Sequence, residues 1–413
     1  MARHPGGTSM TARVNEAASA DRAPTSVDAL ATVIREHHDA HRPVRLVGNG
    51  TWLQGGGPFV DATPLSLHAL SGVVEYTPGD LVITVRAGTT VHELAAITAE
   101  HGQMLASAPY GSPESTIGAM IATAAPAPLA LDDLQVRDLV LGLTVVTGTG
   151  AITRAGGRVV KNVAGFDLVR LHTGAWGTLG AIAEVSLRLH AIPHRDLVIG
   201  GRLSAELGDA IPPLVANRAP IPMQVMLVPG EAPQLLARVS GNSARVDSLR
   251  ERLMRLGARD LVELSGTQVD ALRVTAPDAM VLRLRTALSD AVPFVRAVRD
   301  AFPTATLVYS PLRGSLRVVL PRWDAQQAFD VDLTEAADQS DAVMGTVTRA
   351  LGTVARLATT FGASHPIAIA IDQGRRQHPT RTPLEVGIKR ALDPTDICNR
   401  LDAVAPAPAP LPV

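Results

Sequence analysis

Residues 161–182 read Lys161-Asn162-Val163-Ala164-Gly165-Phe166-Asp167-Leu168-Val169-Arg170-Leu171-His172-Thr173-Gly174-Ala175-Trp176-Gly177-Thr178-Leu179-Gly180-Ala181-Ile182. Directly beyond, Ala181, Ala183, Val185, Leu187 and Leu189 alternate with Glu184, Ser186, Arg188 and His190. That is the period of a half-buried strand. Upstream, residues 140–147 read as a strand, and Gly148-Thr149-Gly150 as a hairpin turn into Ala151-Ile152-Thr153. A glycine-punctuated strand–turn–strand that binds nothing does not call for so long and unusual an order of residues.

Toward the N-terminus, residues 44–47 read as a short strand that ends in Gly48-Asn49-Gly50-Thr51-Trp52-Leu53-Gln54-Gly55-Gly56-Gly57. Glycines there permit positive φ and let successive backbone N–H groups point into one concavity. Such a concavity neutralises a diphosphate without Lys or Arg. Thr51 adds a hydroxyl donor, and Asn49 tolerates a left-handed backbone. A Rossmann site needs G-x-G-x-x-G and an acidic residue about 20 positions on. Here Leu53 stands where the third glycine belongs, and Thr63-Pro64 interrupts the run. A glycine-rich surface turn remains the other reading of this loop taken alone. A second polar segment follows, Ala108-Pro109-Tyr110-Gly111-Ser112-Pro113-Glu114-Ser115-Thr116-Ile117-Gly118-Ala119. Its small residues and hydroxyls can bond a flat, polar-edged ring without crowding it. Helix starts look similar. Ser26 or Thr25 reads as the cap of a helix through Leu30, Val33 and Ile34. Thr90-Val91-His92-Glu93 has capping-box spacing.

The 161–182 run resembles the K-N-x-A-G-Y-D-L-x-R-L-x-x-G-S-x-G-T-L-G-x-I run of FAD-linked oxidases that carry a p-cresol-methylhydroxylase-type (PCMH-type) FAD domain. Val136-Arg137-Asp138-Leu139-Val140-Leu141-Gly142 resembles their V-R-D-x-V-L-G, and Leu392-Asp393-Pro394-Thr395-Asp396-Ile397-Cys398-Asn399 their closing F-D-P-x-x-I-x-N. Within that family, residues 156–167 are most similar to glycolate oxidase FAD-binding subunits. Ala119 stands where the family usually has a second Gly, and Thr123-Ala124-Ala125-Pro126-Ala127-Pro128 replaces a Gly-Pro-Arg stretch. Phe166 replaces Tyr, and Trp176 stands where Ser, Glu or Phe is common.

The resemblance implies an α+β fold, with a two-subdomain PCMH-type FAD-binding domain and an α+β cap built on an antiparallel sheet. It places the FAD diphosphate at Gly48, Asn49, Gly50, Thr51, Gln54 and Gly55. The ring would lie against Pro109, Tyr110, Gly111, Ser115, Thr116, Gly118 and Ala122, and against Lys161, Asn162, Gly165, Asp167, Gly177, Gly180 and Ile182. Covalent attachment needs a His, Cys or Tyr beside the ring. The first loop has none and Cys398 is far along the chain, so the FAD is expected to be non-covalent.

Past residue 195 the glycine loops give way to plain strands and amphipathic helices. Val246, Leu249, Leu253 and Leu256 share a helical face; residues 280–284 and 316–320 read as strands, and 292–298 and 341–361 as helices. The expected layout is a disordered tail over 1–23, the FAD-binding domain over 24–195, a cap and substrate domain over 196–375, a segment over 376–403 that returns to the FAD domain, and a tail over 404–413.

Composition narrows the function. The formal net charge of −1 gives no basic excess for nucleic acid. The single cysteine, Cys398, cannot make a disulfide, a zinc cage or an iron–sulfur cluster. No apolar stretch reaches the about 18–20 residues that span a bilayer. The first 23 residues lack a signal peptide's apolar core. The expected place is the cytoplasm, with membrane association through partner subunits. Only Lys161 and Lys389 are lysines, leaving 38 − 2 = 36 arginines. Codon bias explains that, and so does a need for a compact ammonium at a surviving lysine, here read at Lys161. His37, His38 and His41 group as a solvated surface rather than a metal site. His365 is the cap histidine to test first as a base, against a plain strand-entry residue. Arg283, Arg285 and Arg317 lie on cap strands, as carboxylate ligands or as solvated arginines of an open sheet. The resulting expectation is a subunit that oxidises a small 2-hydroxy acid, with a sister flavin subunit and an iron–sulfur subunit as partners. The alternative is a non-catalytic FAD-binding or scaffold subunit of such a complex.

Overall fold

Ser26 caps the first helix, α1 (Val27–Asp39), by accepting the Ala29 N–H at 3.1 Å. In the computed structural model, residues 23–51, 62–107, 110–124, 127, 129–158, 167–203, 207–216, 221–274, 280–285, 288–320, 369–370 and 383–399 are described. Leu30, Ala31 and Ile34 bury one face of α1 against Val44, Leu65, Val146 and Ala181. Strand β1 (Val44–Val47) pairs in parallel with β2 (Thr63–Ser66), register Leu46↔Leu65. The sequence reading treats Thr63-Pro64 as an interruption. Pro64 instead lies in a strand, which its edge position in a two-stranded pair permits.

A five-stranded antiparallel sheet follows. Its strands are β3 (Val73–Thr77), β4 (Val82–Arg86), β6 (Val140–Val146), β7 (Ile152–Gly156) and β8 (Ala181–Arg188), in the order β3-β4-β8-β6-β7. The alternation seen in β8 has a packing cause. Ala183, Val185 and Leu187 are buried, while Ser186 and Glu184 bond across the sheet to Thr84 at 2.9 Å and Thr144 at 3.0 Å. Helix α2 (Val91–Ala99) opens on the expected capping box, Thr90 with Glu93. Helix α3 (Ile117–Thr123) joins α2 on this sheet through Ile117, Met120 and Ile121. A short helix α4 (Val136–Leu139) leads into β6, where the sequence reads as a strand entry. Helix α5 (Leu168–His172) precedes β8, and β5 (Gln103–Met104) pairs with β9 (His190–Ala191).

The second sheet has eight described strands, all antiparallel, in the order β13-β10-β12-β11-β15-β16-β14-β17. They are β10 (Arg195–Leu203), β11 (Met223–Leu227), β12 (Gln234–Gly241), β13 (Ala258–Glu263), β14 (Met280–Arg285), β15 (Thr306–Ser310), β16 (Ser315–Leu320) and β17 (Ile369–Ala370). Helices α6 (Leu207–Ala216), α7 (Ser243–Arg255), α8 (Gly266–Arg273) and α9 (Ala291–Ala301) accompany them. The core of this layer gathers Ile211, Val225, Val246, Leu253, Phe294 and Tyr309. Each such fully buried aliphatic or Phe side chain contributes on the order of 2 kcal/mol. The expected face of α7 is observed: Val246 and Leu253 are buried, with Leu249 and Leu256 packed beside them.

Buried polar residues mark the other face. Arg238 of β12 donates to Asp196 at 2.7 Å and to the Leu129 carbonyl at 3.1 Å, tying this sheet to the first layer. Finally, α10 (Pro383–Leu392) brings residues 393–399 back against β1, where Val44 N–H donates to the Ile397 carbonyl at 2.8 Å. The helix expected over 341–361 lies outside the described residues. Among the described residues, no helix is long and apolar enough to cross a membrane.

Candidate functional site

The first glycine loop leaves the end of β1 and presses on the second polar segment. A Cβ at Gly48 would stand 2.3 Å from Thr116 Oγ1, so only glycine allows this approach. Asn49 Nδ2 donates to the Glu114 carbonyl at 2.9 Å, fixing the loop one residue further on. Gly50 has φ +72°, which frees the chain to turn its amides to one side. Thr51 is exposed. Gln54 and Gly55 lie outside the described residues.

The second segment is anchored from beneath. Thr116 caps α3 by accepting Ala119 N–H at 3.3 Å. Gly118 N–H donates to the Ala87 carbonyl at 2.8 Å, and a Cβ there would meet Ala87 Cβ at 2.8 Å. Tyr110, Ser115 and Thr116 are buried, and Gly111 has φ +118°. Pro109 lies outside the described residues. Ala119, where the family pattern expects glycine, continues α3. The carbonyl of Ala122 accepts Trp176 N–H at 2.8 Å, which is where the second and third segments meet.

Of the third run, Lys161, Asn162 and Gly165 lie outside the described residues. Asp167 has a local role: it caps α5 by accepting Arg170 N–H at 3.0 Å. Gly180, at φ +139°, packs on the Val146 carbonyl, and Ile182 is buried in the first-layer core. Gly177, at φ +71°, is the residue of this run that reaches the first loop's base, where a Cβ would stand 3.2 Å from Leu46 Cδ1. Gly48, Asn49, Thr116 and Gly177 therefore converge, while Asp167, Gly180 and Ile182 shape the frame around them.

The opposite wall comes from the second sheet. Gln224 of β11, buried, donates to the Tyr110 hydroxyl at 3.3 Å. The Arg317 guanidinium of β16 lies 4.1 Å from the Tyr110 ring centroid. Such a stacked cation contributes about 0.5–2 kcal/mol. The solvated reading of Arg317 gives way here, because the ring of Tyr110 covers it. Arg283 pairs with Arg317 in register across β14 and β16. The Arg273 carbonyl accepts Gly111 N–H at 3.0 Å. Burial lowers the Arg273 pKa, and the Asp270 carboxylate opposes that shift. His38 bonds Thr395 at 2.7 Å and His37 bonds the Arg42 carbonyl at 3.0 Å, so both serve the fold. His365 lies outside the described residues. Among the described residues, no group of three or more His, Cys, Asp or Glu could hold a metal ion.

Ser107, directly before the second segment, and Asn399, at the base of the first loop, escape sequence reading. Ser107 is buried and its hydroxyl has no partner among the described residues. Nothing in its sequence context distinguishes it. Asn399 touches Gly177, and the closing motif that contains it was its only signal. The loop at 48–51 holds no lysine or arginine, and with Gly50 at φ +72° its main-chain amides fit the phosphates of a flavin dinucleotide.

Comparison with known proteins agrees. Residues 18–156 match the family described as FAD binding domain. The chain is 35% identical over 214 residues to glycolate oxidase subunit GlcE of Escherichia coli, covering 51% of this chain and 59% of that one. It is 29% identical over 220 residues to D-lactate dehydrogenase of Archaeoglobus fulgidus, covering 53% and 49%. It is 31% identical over 168 residues to glycolate oxidase subunit GlcD of Bacillus subtilis, covering 40% and 36%. The matches thus span between 36% and 59% of the length of these relatives. Among solved structures, alkyldihydroxyacetonephosphate synthase superposes with a TM-score of 0.67 at 17% identity, covering 91% of this chain and 76% of that one, a likeness of fold. The chain carries a PCMH-type FAD-binding domain in an α+β fold, and its cofactor is FAD.

Proposed function

We propose that this chain is a subunit of an FAD-dependent oxidoreductase, that it oxidises a small 2-hydroxy acid of the glycolate class, and that it passes the electrons to a partner subunit. FAD, when bound, accepts hydride from the substrate carbon and releases electrons singly or in pairs. The residues proposed to hold it are Gly48, Asn49, Gly50 and Thr51 at the diphosphate, with Ser107, Tyr110, Thr116 and Gly177 nearer the ring. The observation that carries the substrate class is the wall of Arg317 and Gln224 around Tyr110. A guanidinium held in a partly desolvated wall binds and orients a carboxylate more strongly than one in open water. A carboxylate fixed there leaves the neighbouring hydroxyl-bearing carbon to face the flavin side. The similar proteins, glycolate oxidase subunits and D-lactate dehydrogenases, support the same class.

The proposed partners are a sister flavin subunit and an iron–sulfur subunit, since a chain with one cysteine cannot carry a cluster of its own. The proposed place is the cytoplasm, with any membrane contact made through those partners. The test is anaerobic mixing of the FAD-loaded protein with glycolate or D-lactate. Bleaching of the flavin band is the expected result. A flavin that stays oxidised with either acid would shift the reading to a non-catalytic FAD-binding or scaffold subunit.

A further inference from the structure

We infer that residues 389–399 form a clamp that sets the cofactor loop before FAD arrives, with Asn399 as its positioning residue. Among the described residues, strand β1, which launches the loop, pairs with one named strand, β2, and with a single parallel bridge from Val44 to Cys398. A two-stranded pair is marginal by itself. Its other side is held by the returning C-terminal segment. Val44 N–H donates to the Ile397 carbonyl at 2.8 Å, and Leu46 N–H to Asn399 Oδ1 at 2.8 Å. The same amide reaches the third run, because Asn399 Nδ2 donates to the Trp176 carbonyl at 2.8 Å. One buried side chain therefore bridges the residue two before Gly48 and the residue directly before Gly177. Gly177 is shaped to this amide: a Cβ there would stand 2.8 Å from Asn399 Nδ2.

Asn399 is held in turn by Lys389. The ammonium donates to the Thr178 carbonyl at 2.7 Å, to Asp393 Oδ2 at 2.6 Å and to the Cys398 carbonyl at 3.2 Å. Asp396 Oδ1 stands 3.0 Å from the same ammonium, so four oxygens surround one compact point charge, a geometry that a planar guanidinium cannot copy. Asp393, also buried, accepts the Ile397 N–H at 3.1 Å and the Cys398 N–H at 2.8 Å. The clamp thus fixes the spacing of two chain stretches that flank the cofactor site. This inference rests on the reading that puts the dinucleotide against residues 48–51 and 177.

The test is titration of the FAD-free protein with FAD, together with its melting temperature without FAD, for the unaltered chain and Asn399→Asp. The carboxylate keeps an acceptor for Leu46 N–H and removes the donor to Trp176. FAD affinity is expected to fall about tenfold, the worth of one buried hydrogen bond, while the FAD-free melting temperature moves by only a few degrees. A dissociation constant within about twofold of the unaltered protein, whatever the melting temperature, overturns the clamp. If Asn399→Asp does not fold, hydrogen exchange on the unaltered protein decides. The Leu46 amide must be as protected without FAD as with it; protection that appears only with FAD overturns the inference. An unaltered protein that takes up no FAD sinks the cofactor reading as well. Uptake by the unaltered protein with unchanged affinity in the variant sinks the clamp alone.

Discussion

Replacing Lys389 with Met removes a charge and almost no volume, so the loss it causes is electrostatic. The Asp393 side chain is 0% exposed and that of Lys389 9%. Removing one member of a buried pair costs about 3–5 kcal/mol, because the remaining charge stays desolvated. Three features bear on that range, the smallest being the half-exposed Asp396, which loses an ion partner at 3.0 Å at a solvent-screened cost of under about 1 kcal/mol. Asp393 keeps the N–H groups of Ile397 and Cys398, which soften the loss. The carbonyls of Thr178 and Cys398 lose their donor, which adds about 1 kcal/mol each. The expected cost is therefore about 4 kcal/mol, read as a shift of the urea midpoint at unchanged slope. The double variant Lys389→Met with Asp393→Leu removes both charges and is expected to recover about 2 kcal/mol. Recovery stays incomplete because Ile397 and Cys398 N–H lose their acceptor. A single variant that costs under about 1 kcal/mol, or a double variant whose cost is the sum of its parts, would refute the reasoning.

Other outcomes follow from the same geometry. Burial pushes the His172 imidazole from 6.5 down to about 4, so the unfolded chain binds a proton in that window that the folded chain does not. Stability therefore rises with pH between about 4 and 6.5 and is fully present above it, by roughly 3 kcal/mol, and His172→Gln flattens that slope in urea melts at pH 5 and 7. Burial, then the Asp393 carboxylate, push the Cys398 thiol far up, so a disulfide reagent labels it only on unfolding; rapid labelling of the folded protein would contradict the clamp's closure. Gly177→Ala, at φ +71° and with its Cβ 2.8 Å from Asn399 Nδ2, is expected to cost more than the about 1–2 kcal/mol of backbone strain alone, whereas Gly79→Ala, with nothing within 4 Å, is neutral in the same melts. Arg317→Leu is expected to raise KM for the acid by about tenfold or more while FAD affinity stays unchanged.

Local chemistry was readable from the sequence because its partners lie within a few residues. Ser26 and the Thr90–Glu93 box cap helices as expected, and β8 alternates as its residues do. Asp167 shows the limit of that kind of reading. The family run places it at the cofactor; the structure adds a local role, one carboxylate oxygen accepting Arg170 N–H three residues along, that the run does not announce. The two lysines show a second limit. The sequence points to Lys161 for a compact ammonium, while Lys389 is seen to fill that role, through carbonyls of Thr178 and Cys398 that no side-chain pattern advertises. Strands β10 to β13 carry no glycine loop to announce them; β11 and β12 pair as sequence neighbours, whereas β10 reaches β12 and β13 only over long range.

The two walls of the site differ for a physical reason. The cofactor side is built from main chain brought close to main chain or to small side chains, as at Gly48 against Thr116 and Gly118 against Ala87. Close approach forbids a Cβ, so that wall must be written in glycine and shows in the sequence. The facing wall uses Gln224 and Arg317 on ordinary strands, residues that any solvated sheet face also carries. What separates the two cases is Tyr110, which lies in a different layer and covers them. On the proposed reading, specificity for the acid rests on the docking of one layer on the other, and the Arg238 bond to the Leu129 carbonyl helps to hold that docking beside the Gly111 N–H bond to the Arg273 carbonyl. Loosening it by Arg238→Leu is expected to leave FAD uptake intact and to weaken discrimination among acids. A variant that loses FAD and keeps its acid preference would place the substrate wall elsewhere.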